Sequence, residues 1–312
     1  MRAIGFLFAG QGAQHPGMGS YLEAASPAAQ TVFRSAAQAL GADLRPLLFS
    51  GPADRLNQTE VTQPAVLLTA LATLAALREH GVDCQAATGL SLGEYGAWVA
   101  AGAISAEDAL PLVRDRGRYM QEAVPLGAGG MVAVLGMAGE AVEAVCRLVQ
   151  DGVVEVANYN CPGQVVVSGD RAGLGQFESL ARLHGAKRLV PLPVSAPFHC
   201  SLLRPAGEQL ARRLAGVTIA PPKFAVYTNR TGRPLSDPEE IRDNLIRQVS
   251  EPVRFEQALE AMAGDGIRCF VELGPGRSLG GFARKVDPGA EVYHTDDLEG
   301  FKAAVGALGG AV

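Results

Sequence analysis

The sequence is poor in the features that would define several classes of protein. Its five cysteines, Cys84, Cys146, Cys161, Cys200 and Cys269, are odd in number, scattered, and contain no Cys-x-x-Cys pair. Such spacing predicts neither a disulfide framework nor a zinc site, and the expectation is reduced thiols in a cytoplasmic protein. Positive charge is not in excess: 27 Lys and Arg stand against 32 Asp and Glu, a net charge of -5. That balance excludes a whole-protein field for nucleic acid or an anionic membrane, so an acidic partner must meet a local basic patch. No apolar run reads as long enough to span a bilayer, and "MRAIGFLFAGQG" suits a buried first strand better than a secretory signal. There is no internal repeat, and no feature asks for a metal, a flavin or a nucleotide redox cofactor.

Glycine, in contrast, is abundant: 38 of 312 residues, roughly twice the usual share of about 7%. The glycines sit between apolar runs, which is the punctuation of an α/β protein with many strand-to-helix turns. Ile4 to Ala9 reads as a buried strand, followed by the loop "GQGAQHPGMG". Residues 62–81 read as a Leu/Ala-rich helix starting at Gln63-Pro64 and ending at His80-Gly81. A short strand near 85–89 and a helix running towards Ala101 follow. Beyond Pro125 the pattern becomes strand, helix, strand, strand, helix, strand, the βαββαβ order of a ferredoxin-like unit. The predicted organisation is therefore a large α/β domain, residues 1–126 and 196–312, carrying a ferredoxin-like small domain at 127–195.

"TGLSLGEYGAW" contains the pattern Gly-x-Ser-x-Gly at Gly89 to Gly93. Small residues two positions either side of Ser91 let a strand reverse sharply into a helix, holding the hydroxyl clear of its neighbours. The helix N-terminus behind it offers N–H groups to a developing oxyanion. A nucleophilic serine needs a base, and there are five histidines. His80 and His184 precede glycines at helix ends and read as structural caps. His294 lies in a polar stretch expected at the surface, and His15 in a loop where histidines are usually solvated. His199, in "PLPVSAPFHCSLL", follows the last strand of the small domain and is the base candidate. Its neighbour Cys200 reads as a buried thiol.

Ser105 and Asp108 stand at capping-box spacing and mark a helix start. Along that helix Ala109, Val113, Arg116 and Met120 form one stripe, so Arg116 falls on the apolar face. Pro111 inside it predicts a kink or a late start. An inward guanidinium needs a carboxylate. Two partners are possible: an internal salt bridge, or the carboxylate of a substrate held by the two-pronged contact that arginine makes.

These residues, taken in order, resemble the malonyl-CoA:acyl carrier protein transacylases of fatty acid and polyketide synthesis. The resemblance rests on an ordered series: "FAGQGAQHPGMG", "QPAVLLTALATL", "GLSLGEYGAWVAAG", "RGRYMQEAVP", "ANYNCPGQVVVSG", "GAKRLVPLPVSAPFHCSLL", "RQVSEPVRF" and "ELGPGRSLGGF". It covers about residues 1 to 285. It implies an α/β-hydrolase-like large domain around the small one. Ser91 would be the nucleophile and His199 its base, with the side-chain carbonyl of Gln248 orienting the imidazole. The backbone N–H groups of Gln11 and Leu92 would form the oxyanion hole, Arg116 would bind the free carboxylate of the malonyl group, and Asn160 would lie near the site. Malonyl would pass from malonyl-CoA to Ser91 and then to the phosphopantetheine thiol of acyl carrier protein. CoA is a substrate in this scheme and no cofactor is implied; a monomer is expected.

In the resembling enzymes a Phe before the catalytic His accompanies malonyl, and Phe198 fills that position. Lys187 and Arg188 are either a meeting point for the acidic carrier or an ordinary solvated pair. The sequence departs from the family pattern at Leu90, where His is usual, and at Ala9 and Ala13, where Pro and Ser are frequent. Competing readings are a serine hydrolase, including one that clears carrier-bound acyl groups, a free-standing polyketide acyltransferase with another extender unit, and a non-catalytic carrier-docking protein.

Overall fold

The computed structural model describes residues 3–125, 127–194 and 196–309. The first sheet has the order β10-β9-β1-β2-β7, with every neighbouring pair parallel. Its strands are β1 (Ile4–Phe8), β2 (Ala86–Gly89), β7 (Ala225–Val226), β9 (Cys269–Leu273) and β10 (Glu291–His294). The second has the order β6-β3-β5-β4-β8, from β3 (Gly129–Leu135), β4 (Val154–Cys161), β5 (Gln164–Asp170), β6 (Arg188–Pro191) and β8 (Val253–Arg254). Its pairs are antiparallel except β4 with β8, where Asn158 faces Val253 and Tyr159 faces Arg254. The chain is thus a mixed α/β protein with two sheets. The junctions predicted at Leu126 and Ser195 lie outside the described residues.

Central β1 reads "IGFLF" and is buried at all five positions, as a strand covered on both faces requires. The helix Thr59–Glu79 packs nearby and is buried on nearly every side, because alanines, leucines and valines occupy its whole circumference. It starts three residues before the predicted point, so Pro64 lies inside it. Thr62 Oγ1 secures the first turn by donating to the carbonyls of Leu56 and Gln58. By length and composition this 21-residue helix does qualify as a membrane span, contrary to the sequence expectation, but 83% of its most apolar window is buried within the protein. Its role here is that of a core helix.

The helix Ala106–Glu122 begins where Ser105 accepts from the Asp108 N–H at 3.0 Å, and it continues through Pro111 without a late start. His80 and His184 occupy helix C-cap positions. His294 is not on the surface. It is half-buried in β10, and its ring fills the space above Gly300, where a Cβ would meet it at 2.3 Å.

Candidate active site

Among the described non-glycine residues only two have positive φ: Ser91 at 55° and His199 at 59°. Such a conformation costs about 1–3 kcal/mol per residue and persists only where surrounding structure dictates it. For Ser91 the cause is visible in the two flanking glycines. A Cβ on Gly93 would lie 2.1 Å from Phe8 O, and one on Gly89 would lie 2.1 Å from the Gly93 carbonyl carbon. The helix Gly93–Ala100 therefore butts directly onto the end of β1, and the three-residue reversal from β2, Leu90 to Leu92, must pass through Ser91. Leu90 N–H donates to Phe8 O at 3.0 Å and fixes the same approach.

Ser91 Oγ and His199 Nε2 are 2.7 Å apart, and His199 Nδ1 lies 2.8 Å from the main-chain carbonyl of Gln248. A carbonyl only accepts, so Nδ1 carries the ring proton and the Nε2 lone pair faces the serine hydroxyl. This corrects the sequence expectation for Gln248. The residue is in place, but its backbone oxygen holds the imidazole, while its side-chain Oε1 accepts from Arg116 at 3.1 Å.

Arg116 is 1% exposed. It donates to Gln63 Oε1 at 2.7 Å and to Ser91 Oγ at 3.0 Å, and its guanidinium lies 5.6 Å from the centroid of the Tyr95 ring. Its Nε has no hydrogen-bond partner among the described residues. Among the described residues no carboxylate lies within ion-pair distance of it, so the internal salt bridge is not what the fold provides. This buried cation directly touches only amides, a hydroxyl and a ring face; the Glu94 carboxylate acts on it from beyond Gln248, and no anion is in contact with it among the described residues.

Burial, assisted by the Arg116 charge, pushes the His199 pKa down from 6.5 to about 3. The imidazole is therefore the neutral base across the physiological range. The free-enzyme profile, kcat/KM against pH, is expected to stay flat from pH 8 to below pH 5; an acidic limb near pH 6.5 would contradict it. The depressed value has a stability consequence of definite sign. The unfolded chain takes up a proton at His199 below about pH 6.5 while the folded site resists until about pH 3, so stability falls as pH drops through that window.

Gln11 follows the end of β1, and Gly10 beside it packs so closely on the serine turn that a Cβ there would meet Leu90 O at 2.5 Å. Leu92 is fully buried at the N-cap of the helix Gly93–Ala100. Among the described residues neither main-chain N–H has a hydrogen-bond partner. Phe198, 5% exposed, joins the apolar core immediately before the histidine. Asn160, near the end of β4, is 7% exposed; among the described residues its Oδ1 has no partner, and it makes no hydrogen bond to Ser91 or His199. Leu90 packs beside the core cluster that contains Tyr227 and Phe255, so the position where the family usually has His is an apolar contact here. Lys187 and Arg188 are exposed at edge strand β6, with no ion pair among the described residues. His15 pairs with Asp296 at 3.0 Å.

Sequence reasoning missed four buried residues. Asn229 Oδ1 accepts from the Ser91 N–H at 2.7 Å, and its amide donates to Gly89 O at 2.7 Å. Gln63 steadies Arg116, and Glu94 and Asn244 are hydrogen-bonded to each other beneath the site. Only Glu94 leaves a trace in the sequence, as a carboxylate in the otherwise apolar "GEYGAWVA" helix.

Parallel strands whose C-terminal ends carry a serine turn backed by a histidine define a class, the acyl-transfer enzymes with a serine nucleophile. Residues 5–279 match the family described as acyl transferase domain. Malonyl CoA-acyl carrier protein transacylase of Bacillus subtilis (strain 168) is 41% identical over 310 residues, 99% of this chain and 98% of that protein. The solved malonyl CoA-acyl carrier protein transacylase of Coxiella burnetii superposes with a TM-score of 0.95 at 37% identity, covering 99% of this chain and 98% of that one. A type II PKS acyl-carrier protein in complex with its malonyl-transacylase gives a TM-score of 0.94 at 36% identity, covering 98% and 99% respectively. The chain belongs to the malonyl CoA-acyl carrier protein transacylase family.

Proposed function

We propose that this chain moves a malonyl group from malonyl-CoA to the phosphopantetheine thiol of an acyl carrier protein by way of malonyl-Ser91. The observation that carries this reading is Arg116, a buried guanidinium with no anion in direct contact among the described residues, whose Nη2 lies 3.0 Å from Ser91 Oγ. The free carboxylate of a malonyl group supplies that contact at the place where its thioester carbonyl meets the hydroxyl. A neutral acyl group leaves that contact unmade.

His199 Nε2 takes the Ser91 proton as Oγ bonds to the thioester carbon. The oxyanion is received by the N–H groups of Gln11 and Leu92, each such donor being worth about 2.7–4 kcal/mol to the transition state. The carbon–sulfur bond then breaks, and the CoA sulfur leaves with the proton from Nε2. The carrier thiol repeats the sequence in reverse: it gives its proton to Nε2, attacks the ester carbon and releases Ser91. The Gln248 carbonyl keeps Nδ1 protonated throughout and stabilises the transient imidazolium.

Initial rates with both substrates varied test the scheme. Parallel double-reciprocal lines are expected of a covalent intermediate, whereas intersecting lines require a ternary complex and exclude it. Phe198 is the wall against the malonyl α-carbon. Shape discrimination over one methyl is worth about 1–3 kcal/mol, so malonyl is preferred over methylmalonyl without absolute rejection, and the ratio of kcat/KM for the two thioesters measures it. Lys187 and Arg188 are offered as part of the surface that meets the acidic carrier. In architecture, residues 127–195 are read as a ferredoxin-like insert in an α/β-hydrolase-like domain; support comes from the order β6-β3-β5-β4 with antiparallel neighbours. Helices Gly139–Leu148 and Arg171–Leu183 complete that unit.

A further inference from the structure

Glu94 is fully buried, three residues beyond the serine, and the scheme above gives it no role. Four N–H groups converge on its carboxylate. Oε1 accepts from the Trp98 indole at 3.1 Å and the Asn244 amide at 2.5 Å; Oε2 accepts from the Asn229 main chain and the Gln248 amide, both at 2.8 Å. These fill the lone-pair sites of an ionised carboxylate and leave no position for a proton. Burial holds the carboxyl pKa above its ordinary value, and all four hydrogen bonds oppose that rise.

Two of the donors belong to the two halves of the site. Asn229 holds the Ser91 turn, through Ser91 N–H and Gly89 O. Gln248 holds the other half: its main-chain oxygen takes His199 Nδ1–H, and its side-chain Oε1 takes Arg116 Nη2. The Gln248 amide therefore stands between Glu94 and Arg116, donating to the carboxylate and accepting from the guanidinium. Its Nε2 also reaches Ser91 O at 3.0 Å.

We infer that Glu94 is a positioning residue for acyl transfer: its carboxylate ties the nucleophile turn, through Asn229, to the histidine and arginine arm, through Gln248. This deepens the function proposed above and rests on it. The dyad has no acid of its own, since a carbonyl orients the imidazole. Glu94 supplies a fixed anion one amide away, and both the 2.7 Å Ser91–His199 contact and the aim of Arg116 depend on where it sits.

Glu94→Gln keeps the shape but puts an amide NH2 where two donors already point, so one pair of contacts is lost. The expected result is a fall in kcat for malonyl transfer of about 100-fold, the scale of a small misplacement of reacting groups, with KM for malonyl-CoA within about twofold. Trp98→Phe removes a donor from the same carboxylate but touches neither arm, and its kcat is expected to stay within about threefold of wild type. Near-wild-type kcat in Glu94→Gln, an effect on KM alone, or an equal loss in both variants overturns the inference.

If Glu94→Gln does not fold, the wild-type protein decides. Its single tryptophan gives one indole N–H resonance, bonded directly to Glu94. Malonylation of Ser91 draws Arg116 away from Gln248, so that resonance must shift; an unmoved resonance refutes the coupling. Where Glu94→Gln does fold, labelling of Ser91 by a fluorophosphonate needs no malonyl group, and its rate is expected to drop at least about tenfold in that variant. The positioning role is thus judged even if malonyl-CoA leaves no adduct, an outcome that would count against the proposed function instead.

Discussion

Ser91→Ala is expected to lower malonyl transfer by at least about 10⁴-fold, the scale of removing the nucleophile from a unit whose members act together. The substitution deletes the hydroxyl that faces His199 Nε2, and the base is left without that proton to take. Carrier binding and melting temperature should stay near wild type, because the Gly89 and Gly93 packing that forms the turn is untouched. Residual turnover within tenfold of wild type would mean that the thiol attacks the CoA thioester directly, and the covalent scheme would fall.

Arg116→Met is expected to separate substrate recognition from folding. With malonyl-CoA, kcat/KM should fall about 10²- to 10³-fold, since the substrate carboxylate would enter a buried site with no partner. With acetyl-CoA, which has no carboxylate, the change should be less than about tenfold. Stability should change by no more than about 2 kcal/mol, because the relieved desolvation of a buried cation offsets the lost hydrogen bonds to Gln63 and Gln248. A structural salt-bridge arginine behaves in the opposite way, losing about 3–5 kcal/mol of stability and affecting both thioesters alike. Thermal melts and the two kinetic constants distinguish these outcomes.

Local pattern carried much of this site. Gly-x-Ser-x-Gly after a short apolar run located the turn, and helical spacing put Arg116 on a buried face, where it lies. What local pattern does not carry is the atom by which a residue acts. Gln248 was expected to use its side chain, but the chain passes close enough to His199 for a backbone carbonyl to serve, and no side-chain letter encodes that. Asn229 becomes a neighbour of Ser91 only because β7 pairs with β2, a contact between residues 138 apart in sequence. The polar stretch at His294 reads as surface, but its neighbour Thr295 turns back to β9, bonding Glu272 O through N–H and hydroxyl, and is buried there. The early start of the helix Thr59–Glu79 had a similar cause: proline usually opens a helix, and here tertiary burial of Thr59 and Thr62 extends the helix beyond it.

The most direct test of the central claim is the intact mass of the protein after brief mixing with malonyl-CoA, followed by peptide mapping and a chase with phosphopantetheinylated acyl carrier protein. The predicted result is one added malonyl group, located on Ser91, persistent in buffer and transferred rapidly to the carrier. The absence of an adduct, or an adduct that drains to water as fast as to the carrier, would contradict it.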